Sequence, residues 1–318
     1  MNIRVHVQGV VCLICGLVLL GSLVLAQRSE AETYYVDPNG DDRNNPGTEA
    51  QPFQTIDTGA RALKPGDTLL VKNGTYTGTL AFYGRPSGTS WNSPVTIAAY
   101  PGARPVLRPN RGDYAFYISY TSYMVIDGLF IDGTNGDTGI KITDGASNIR
   151  IQNSEIANAF NGIEMNDGAE GNEFMNLEVH HNRAYGIYIA TGHNVVEDCS
   201  IHNNGRYGIH AYNPREGVDN NIIRNNEISR NGDSGIILTH GDSNEMSDNI
   251  ISANRNFGIE INYGASRSYV SGNTIYGNGN SDIYIDSTCS DTFIGSNYGG
   301  VNQGVSIRDE SRSTQILQ

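Results

Sequence analysis

Gly139-Ile-Lys-Ile142 is the first of seven related four-residue phrases that return about every 23 residues as far as Asp286. The later copies are Gly162-Ile-Glu-Met165, Gly186-Ile-Tyr-Ile189, Gly208-Ile-His-Ala211, Gly235-Ile-Ile-Leu238, Gly258-Ile-Glu-Ile261 and Asp282-Ile-Tyr-Ile285. A constant period of this length is typical of a solenoid, in which each repeat buries its apolar side against its neighbours.

The repeating units are expected to be strands, because apolar and variable residues alternate within each phrase with a period of two. One apolar column precedes the phrase, at Phe174, Val196, Ile223, Met246 and Val270. Another follows it, at Ile156, Val179, Ile201, Ile228, Ile251 and Ile275. Leucine-rich repeats have a similar period, but only Leu177 and Leu238 lie between Gly139 and Asp286, which disfavours that horseshoe fold.

Asparagine recurs four residues before six of the phrases, at Asn158, Asn182, Asn204, Asn231, Asn254 and Asn278. A second column contains Asn226, Asn249 and Asn273. Amides stacked in register can hydrogen-bond along a ladder. The pattern resembles the right-handed parallel β-helix of pectate-lyase-like secreted proteins. This resemblance implies an all-β, right-handed parallel β-helix solenoid that spans most of the mature chain.

The N-terminal segment predicts export. An apolar run from Gly9 to Ala26 ends in small residues, so residues 1–26 are interpreted as a signal peptide, with a retained membrane anchor as the alternative. Residues 27–300 are predicted to form one β-helix domain, and residues 301–318 a polar tail, because the period fades after Asp286. We expect a secreted, periplasmic or cell-surface monomer without stable membrane association once the signal is cleaved.

A short helix is predicted to close the N-terminal end of the solenoid. Phe53, Ile56, Ala60 and Leu63 have helical spacing. The open end of a stacked sheet needs such a cover.

Charge and cysteine content narrow the function. The formal net charge of −13 disfavours nucleic acid as a partner. An acidic polysaccharide remains an expected partner, because a local basic cluster or bound Ca²⁺ can reverse the field. Cys199 and Cys289 lie about four coils apart, or near 19 Å at roughly 4.8 Å per coil, so no disulfide is expected. Cys199 shares the column of Asn226 and Asn249 and is interpreted as an inward-facing residue.

Two columns of side chains are predicted to point outward from the phrase strands. The first contains Lys141, Glu164, Tyr188, His210, Ile237, Glu260 and Tyr284. The second contains Thr143, Asn166, Ala190, Tyr212, Thr239, Asn262 and Asp286. Charges, amides and rings in rows suit an extended sugar chain, although an ordinary solvated face would also be polar.

One coil is longer than the others. The 27-residue interval places extra residues after its strand, in His210-Ala-Tyr-Asn-Pro-Arg-Glu-Gly-Val-Asp-Asn220. Loops on rigid scaffolds often carry function. His210, Tyr212, Arg215 and Glu216 are therefore expected near Tyr188, with His240 one coil later.

Asn213-Pro214-Arg215-Glu216 resembles the active coil of mannuronan C5-epimerases, which carry Asp-Pro-His followed by an acidic residue on the same β-helix. Pro214 and Glu216 match that motif. Asn213 stands in place of its Asp and Arg215 in place of its His. His210 lies three residues before Asn213, where some members have a catalytic Tyr.

Removing the C5 proton of a uronate requires a neutralised carboxylate, a base, and either a second proton donor or loss of the C4 oxygen. The predicted catalytic residues are Arg215 as neutraliser, His210 as base and Tyr212 as donor. The predicted substrate-binding residues are Lys141, Tyr188, Asn213, Glu216 and His240. The expected activity is therefore that of a polysaccharide lyase or C5-epimerase.

The sequence leaves three alternatives open. Glu164, Asn166 and Asp167 form a hard oxygen set that predicts a Ca²⁺ site, and no other cofactor is expected. A non-catalytic glycan-binding or cell-surface structural protein is the alternative function. A glycoside hydrolase needs two carboxyl groups about 5 to 9.5 Å apart. Glu164 and Glu260, four coils apart, do not meet that requirement.

Overall fold

The computed structural model describes residues 30–134, 136–300, 304–311 and 313–317, and the predicted signal peptide lies outside this range. Three parallel sheets, here called A, B and C, wind along a common axis in the order A, B, C within each coil. This arrangement confirms the predicted all-β, right-handed parallel β-helix.

In the described residues, sheet A has 12 strands, sheet B has 9 and sheet C has 10. Sheet A contains Thr33–Val36, Thr68–Val71, Val95–Ala99, Ser122–Asp127, Ser147–Gln152, Glu173–Met175, Val195–Glu197, Ile222–Arg224, Glu245–Ser247, Tyr269–Ser271, Phe293–Ile294 and Gln315–Ile316. Sheet B contains Thr75–Thr77, Val106–Arg108, Phe130–Asp132, Glu155–Ala157, Glu178–His180, Ser200–His202, Glu227–Ser229, Ile250–Ser252 and Thr274–Tyr276. Sheet C contains Leu80–Tyr83, Phe116–Ser119, Thr138–Thr143, Asn161–Met165, Ile187–Ile189, Ile209–Tyr212, Ile236–Thr239, Ile259–Asn262, Ile283–Ile285 and Ile307–Asp309.

The recurring glycines form a column at the entry to sheet C because no side chain fits there. A Cβ on Gly186 would lie 2.6 Å from the carbonyl oxygen of Gly208 and 2.7 Å from Cγ2 of Ile201. Similar close approaches occur at Gly139, Gly162, Gly208, Gly235 and Gly258. The glycine of each phrase therefore lets the backbone of one coil rest on the next.

Three asparagine ladders run inside the corners between sheets. In the B-to-C corner, Asn204 donates from its side-chain amide to Oδ1 of Asn231 at 3.0 Å and to the carbonyl of Val179 at 3.1 Å. That ladder contains Asn182, Asn204, Asn231, Asn254 and Asn278. The A-to-B ladder contains Asn226, Asn249, Asn273 and Asn297, and the C-to-A ladder Asn172, Asn194, Asn221 and Asn244.

Asn158 is outside the ladder in which its spacing placed it. Its side chain is exposed, and Ala159 occupies the ladder position, with its N–H donating to Oδ1 of Asn182 at 3.0 Å. The cause is a corner one residue shorter than the others: Gly162 stands six positions after Ile156, whereas the glycine of each later coil stands seven positions after the corresponding sheet B residue. The position of a ladder residue is therefore fixed by its distance from the sheet B strand, three residues after the buried apolar residue, and not by its distance from the glycine.

The predicted N-terminal cap is confirmed as a helix over Ile56–Ala62, the one helix in the described residues. Phe53, Ile56, Ala60 and Leu63 are all buried. Thr55 is the N-cap of this helix. Its side chain accepts a hydrogen bond from the N–H of Thr58 at 3.2 Å, which gives a partner to one of the free N–H groups of the first turn.

The segment interpreted as a tail contributes two strands. Ile307–Asp309 continues sheet C by pairing Ile307 with Ile283, and Gln315–Ile316 continues sheet A. The spacing between paired residues is 24 in sheet C and 22 in sheet A, so the repeat persists after the glycine signal has ended. Both Cys199 and Cys289 are buried free thiols, and the N–H of Cys199 donates to Oδ1 of Asn226, as its column predicted.

No helix among the described residues is long and apolar enough to cross a membrane.

Candidate active site

Sheet C presents the predicted outward column in register. Glu164 pairs with Lys141 on one side and Tyr188 on the other, and His210 follows Tyr188. The column continues through Ile237, Glu260 and Tyr284. Parallel strands lie about 4.8 Å apart, so adjacent members of this column can touch.

A further outward column stands one residue before each glycine, and the sequence interpretation missed it. The glycine and the residue after it both face the interior, so the alternation of two breaks at this point. Tyr185 and Tyr207 are thereby turned to the outer face, beside Tyr188 and His210. The aromatic residues that recur directly before the glycine were the available signal: Tyr185, Tyr207 and Phe257.

His210 lies among four tyrosines, Tyr185, Tyr188, Tyr207 and Tyr212, here called the tyrosine cluster. The centre of the imidazole is 4.8 Å from that of Tyr185, 4.9 Å from Tyr207 and 5.3 Å from Tyr188. The ring of Tyr212 stacks on it at 5.5 Å. Two neighbouring coils supply these rings: Tyr185 and Tyr188 come from one, and Tyr207 and Tyr212 come from the coil of His210 itself.

The environment keeps His210 neutral. Nδ1 is buried and has no hydrogen-bond partner in the described structure. Burial, together with the positive charge of Arg206, lowers the pKa of His210 to about 4. An imidazole that is uncharged with a free ring nitrogen can accept a proton.

Arg206 is the cation that acts on this histidine, and it was not among the predicted residues. Its guanidinium carbon lies 5.5 Å from the centre of the Tyr185 ring and 5.3 Å from that of Tyr207. Nη1 donates to the hydroxyl of Tyr185 at 3.2 Å. Arg206 therefore places a positive charge at the rim of the tyrosine cluster.

Tyr188 is held in its protonated form. Burial raises its pKa to about 12, with further contributions from the charge of Glu164 and from Tyr185 and Tyr212. Its hydroxyl donates to the backbone carbonyl of Tyr212 at 3.2 Å. This bond ties the strand of Tyr188 to the start of the long loop.

The loop after Tyr212 is closed by Asn213. Its Oδ1 accepts from the N–H groups of Arg215 and Glu216 at 3.0 and 3.2 Å, while its amide donates to the carbonyl of Ala190 at 2.8 Å. Arg215 is exposed on this turn. Glu216 lines a separate small cavity of about 110 Å³ with His193.

The remaining predicted residues flank the cluster. His240 lies next to Tyr212, with ring centres 6.0 Å apart. Lys141 belongs to the same column as His210 but three strands away, and it forms an ion pair with Glu164 at 2.9 Å. The structure therefore brings His210, Tyr212, Tyr188 and His240 together and leaves Lys141 at a distance.

The predicted calcium ligands are engaged in other contacts. Oε1 of Glu164 accepts from Lys141 and, at 3.2 Å, from the amide of Asn166. Asp167 accepts from Thr143 at 3.2 Å. An ammonium group on the central carboxylate opposes a cation there. No described group of three or more His, Cys, Asp or Glu side chains stands in metal-ligand arrangement.

A second carboxylate on the face differs from Glu164. Burial raises the pKa of Glu260, and the nearby charges of Asp233 and Asp286 raise it further. Ser234 donates to Oε2 at 2.7 Å and Asn262 to Oε1 at 2.9 Å. Glu260 is therefore a buried, hydrogen-bonded carboxyl group two strands beyond His210.

Two family models match the chain. The model described as periplasmic copper-binding protein (NosD) matches residues 121–317. The model described as Pel9A-like, right handed beta helix region matches residues 34–186.

Similar proteins include YwoF of Bacillus subtilis (strain 168), described as uncharacterized, which is 28% identical over 142 residues. That match covers 41% of this chain and 30% of YwoF, so it spans less than a third of the relative's length.

Three solved structures share the fold. Pectate lyase Pel9A is 20% identical with a TM-score of 0.67, covering 90% of this chain and 80% of the lyase. The periplasmic alginate epimerase AlgG is 16% identical with a TM-score of 0.55, covering 78% and 61% of the two chains. The A-module of the Azotobacter vinelandii mannuronan C-5 epimerase AlgE6 is 17% identical with a TM-score of 0.55, covering 79% and 87%. At these identities the likeness shows the fold alone.

Proposed function

For this chain, which belongs to the family described as periplasmic copper-binding protein (NosD), we propose an extracytoplasmic enzyme that removes the C5 proton of a uronate-containing polysaccharide. The fold is that of polysaccharide lyases and epimerases, which act on extended sugar chains. Both reactions begin by breaking the C5–H bond, so the same site can serve either.

The single observation that carries the proposal is the unpartnered, buried Nδ1 of His210 inside the tyrosine cluster. A buried polar atom without a partner costs about 1–3 kcal/mol, and it persists where function requires it. The surrounding rings offer faces on which pyranose rings can stack. A bound uronate would bring the missing partner, its C5 hydrogen.

In the proposed step, His210 takes the C5 proton and becomes an imidazolium ion. The electron pair of the C5–H bond spreads onto the uronate carboxylate, which Arg215 or Arg206 neutralises. In a lyase, the pair then forms a C4–C5 double bond while the C4–O bond breaks and Tyr212 protonates the departing oxygen. In an epimerase, Tyr212 instead returns a proton to the opposite face of C5.

The low pKa of His210 is compatible with this role because the substrate changes it. The pKa of about 4 belongs to a site without a substrate anion. A uronate carboxylate beside the ring stabilises the imidazolium and raises that pKa toward the operating pH. We therefore expect turnover to be supported at neutral pH.

The test uses the exported chain incubated with alginate, pectate and glycosaminoglycans, with and without Ca²⁺. Lyase action is followed by the absorbance of the unsaturated product and epimerisation by proton NMR. We expect His210→Gln to lower kcat at least a hundredfold, while His193→Ala, a histidine at another corner, keeps wild-type turnover. Turnover by His210→Gln equal to that of the wild type would remove the proposal.

Binding without turnover is the outcome that would favour the alternative function. In that case the tyrosine cluster would serve as a stacking platform of a glycan-binding or cell-surface β-helix. Tyr185→Ala and Tyr207→Ala would then weaken polysaccharide binding, and His210→Gln would not.

Copper binding is a second candidate function, because the family's description names copper and because the chain carries an imidazole cluster on sheet B. Imidazole is a ligand that copper accepts readily.

Ca²⁺ at Glu164, Asn166 and Asp167 stays a proposal, and it requires Lys141 to leave Glu164.

A further inference from the structure

A cleft of about 750 Å³, here called the end cleft, lies at the N-terminal end of the solenoid. One wall is the cap helix Ile56–Ala62 with the turn that follows it, and the other is the strand Leu80–Tyr83 with its following turn. That strand is the first of sheet C, and the strand of His210 lies five strands further along the sheet. At roughly 4.8 Å per strand the separation is about 24 Å, so the end cleft is distinct from the tyrosine cluster.

The end cleft is basic although the chain as a whole is acidic, with a formal net charge of −13. Its lining contains three basic side chains, Arg61, Lys64 and Arg85, and one acidic side chain, Asp57. Asp57 already pairs with Arg61, at 2.9 Å between Oδ2 and Nε. Lys64 and Arg85 are exposed and have no ion-pair partner in the part of the chain that the structure describes. Two uncompensated cations in one cleft favour an anionic ligand.

The strand Leu80–Tyr83 adds free backbone donors to this cleft. It is the terminal strand of sheet C in the described chain, and only one of its two edges is paired. The N–H of Leu80 donates across the paired edge to the carbonyl of Ala115 at 2.9 Å. Successive residues of a parallel strand direct their backbone groups to opposite edges, so the N–H groups of Ala81 and Tyr83 face the open edge. Such groups can donate to a carboxylate or to a sugar hydroxyl.

Tyr83 connects the end cleft with the outer face of sheet C. Its ring is exposed and lies 5.6 Å from the ring of Tyr117, centre to centre. The ring of Tyr117 lies 5.6 Å from that of Tyr114, and Nζ of Lys141 lies 5.8 Å from the centre of the Tyr114 ring. A row of aromatic rings and a cation therefore extends from the end cleft toward His210. Flat pyranose rings that carry carboxylates match such a row in both shape and charge, whereas an acidic peptide matches it in charge alone.

We propose that the end cleft is a second, non-catalytic binding site for an acidic polysaccharide. Lys64 and Arg85 bind carboxylates of the sugar chain, Tyr83 stacks on a pyranose ring, and the N–H groups at the open edge donate to its oxygens. A polymer long enough to reach both the end cleft and His210 is held at two points, which raises its overall affinity. The proposal takes the class of polymer from the proposed function, but it concerns binding and does not require turnover at His210.

The experiment is a titration of the exported chain against surface-immobilised alginate, at low salt and at about 1 M NaCl. We expect Lys64→Gln/Arg85→Gln to weaken binding about tenfold at low salt. That difference should disappear at high salt, where charges are screened within about 3 Å. Tyr83→Ala should weaken binding about threefold at both salt concentrations, and Tyr83→Phe should bind as the wild type does. All three side chains are exposed, so the variants are expected to fold.

Arg43→Gln/Arg230→Gln is the matched control, because it removes the same charge from two exposed arginines outside the end cleft. It should bind alginate as tightly as the wild type does. Immobilised dextran, an uncharged polysaccharide, should not be bound. Polyglutamate, an acidic peptide, should be bound no more tightly by the wild type than by Lys64→Gln/Arg85→Gln.

Equal alginate affinity of the wild type and Lys64→Gln/Arg85→Gln would overturn the proposal, and so would an equal loss in the control variant. Tight polyglutamate binding that is lost in Lys64→Gln/Arg85→Gln would overturn it in favour of an acidic peptide. These titrations do not measure turnover. Their failure would therefore leave the proposed reaction at His210 intact, and failure of that reaction would leave the end cleft intact.

Discussion

At the scale of single residues, the sequence placed His210, Tyr212 and Tyr188 on one face but did not supply their surroundings. Their positions follow from the alternation of side chains along a strand. The rings of Tyr185 and Tyr207 and the charge of Arg206 come from the break in that alternation at the glycine. That break occurs because the glycine lies against the backbone of the next coil. The alternation of apolar and polar residues along one strand does not reveal such a contact.

The burial of His210 predicts an acid-sensitive stability. An unfolded histidine protonates below about pH 6.5, whereas His210 stays neutral down to about pH 4. Between these values the unfolded chain binds more protons, so stability is full above pH 6.5 and falls as pH decreases. The loss reaches about 3 kcal/mol near pH 4.

Urea unfolding at pH 7 and at pH 4.5 measures this loss. His210→Gln should show a smaller decrease between the two pH values than the wild type, by about 2–3 kcal/mol. His193→Ala, whose imidazole is exposed, serves as the control and should follow the wild type. An identical decrease in wild type and His210→Gln would mean that the imidazole is not buried as described.

At the scale of elements, the sequence predicted most of the strands and the interior asparagines. It did not predict the register of the corner that contains Asn158. The apolar columns at Phe174 and Ile156 correspond to sheets A and B. The ladder, however, is counted from the sheet B strand. A corner shorter by one residue therefore moves Asn158 to the surface without any change in residue type.

Two asparagines that share one column in the sequence should differ sharply in stability. Asn231→Ala removes the acceptor of Asn204 and the donor to Asn254, both buried, and should cost about 3 kcal/mol or more. Asn158→Gly keeps the positive φ of 65° at an exposed position and should cost less than about 1 kcal/mol. Chemical denaturation compares them. Equal costs would contradict the ladder as described.

At the scale of the whole molecule, each coil pairs with the coil before and after it, so the solenoid can lose its end without losing its middle. In the sequence the last recurring glycine is Gly258 and the last phrase ends at Ile285, yet strand pairing continues to Ile316. A recurring residue such as the glycine marks the repeat in the sequence only in those coils where packing requires that residue.

Removing residues 301–318 should therefore destabilise the protein and spare the candidate site. Ile283, Ile285 and Ile294 lose part of their cover, so the free energy of unfolding should fall by about 1–3 kcal/mol. Turnover per folded molecule at 25 °C should match that of the full chain. Thermal melts and activity assays on the same preparation test both parts. An unchanged melting temperature would mean that residues 301–318 do not stabilise the β-helix and act only as a tail.

Release of the C5 hydrogen is the most direct measurement of the central claim, because lyase and epimerase reactions share that step. A uronate polymer deuterated at C5 is incubated with the exported chain, and deuterium in water is measured over time. We predict release by the wild type and by His193→Ala, and none above background by His210→Gln. Release by His210→Gln at the wild-type rate would contradict the assignment of His210 as the base, and no release by any form would contradict the proposed reaction.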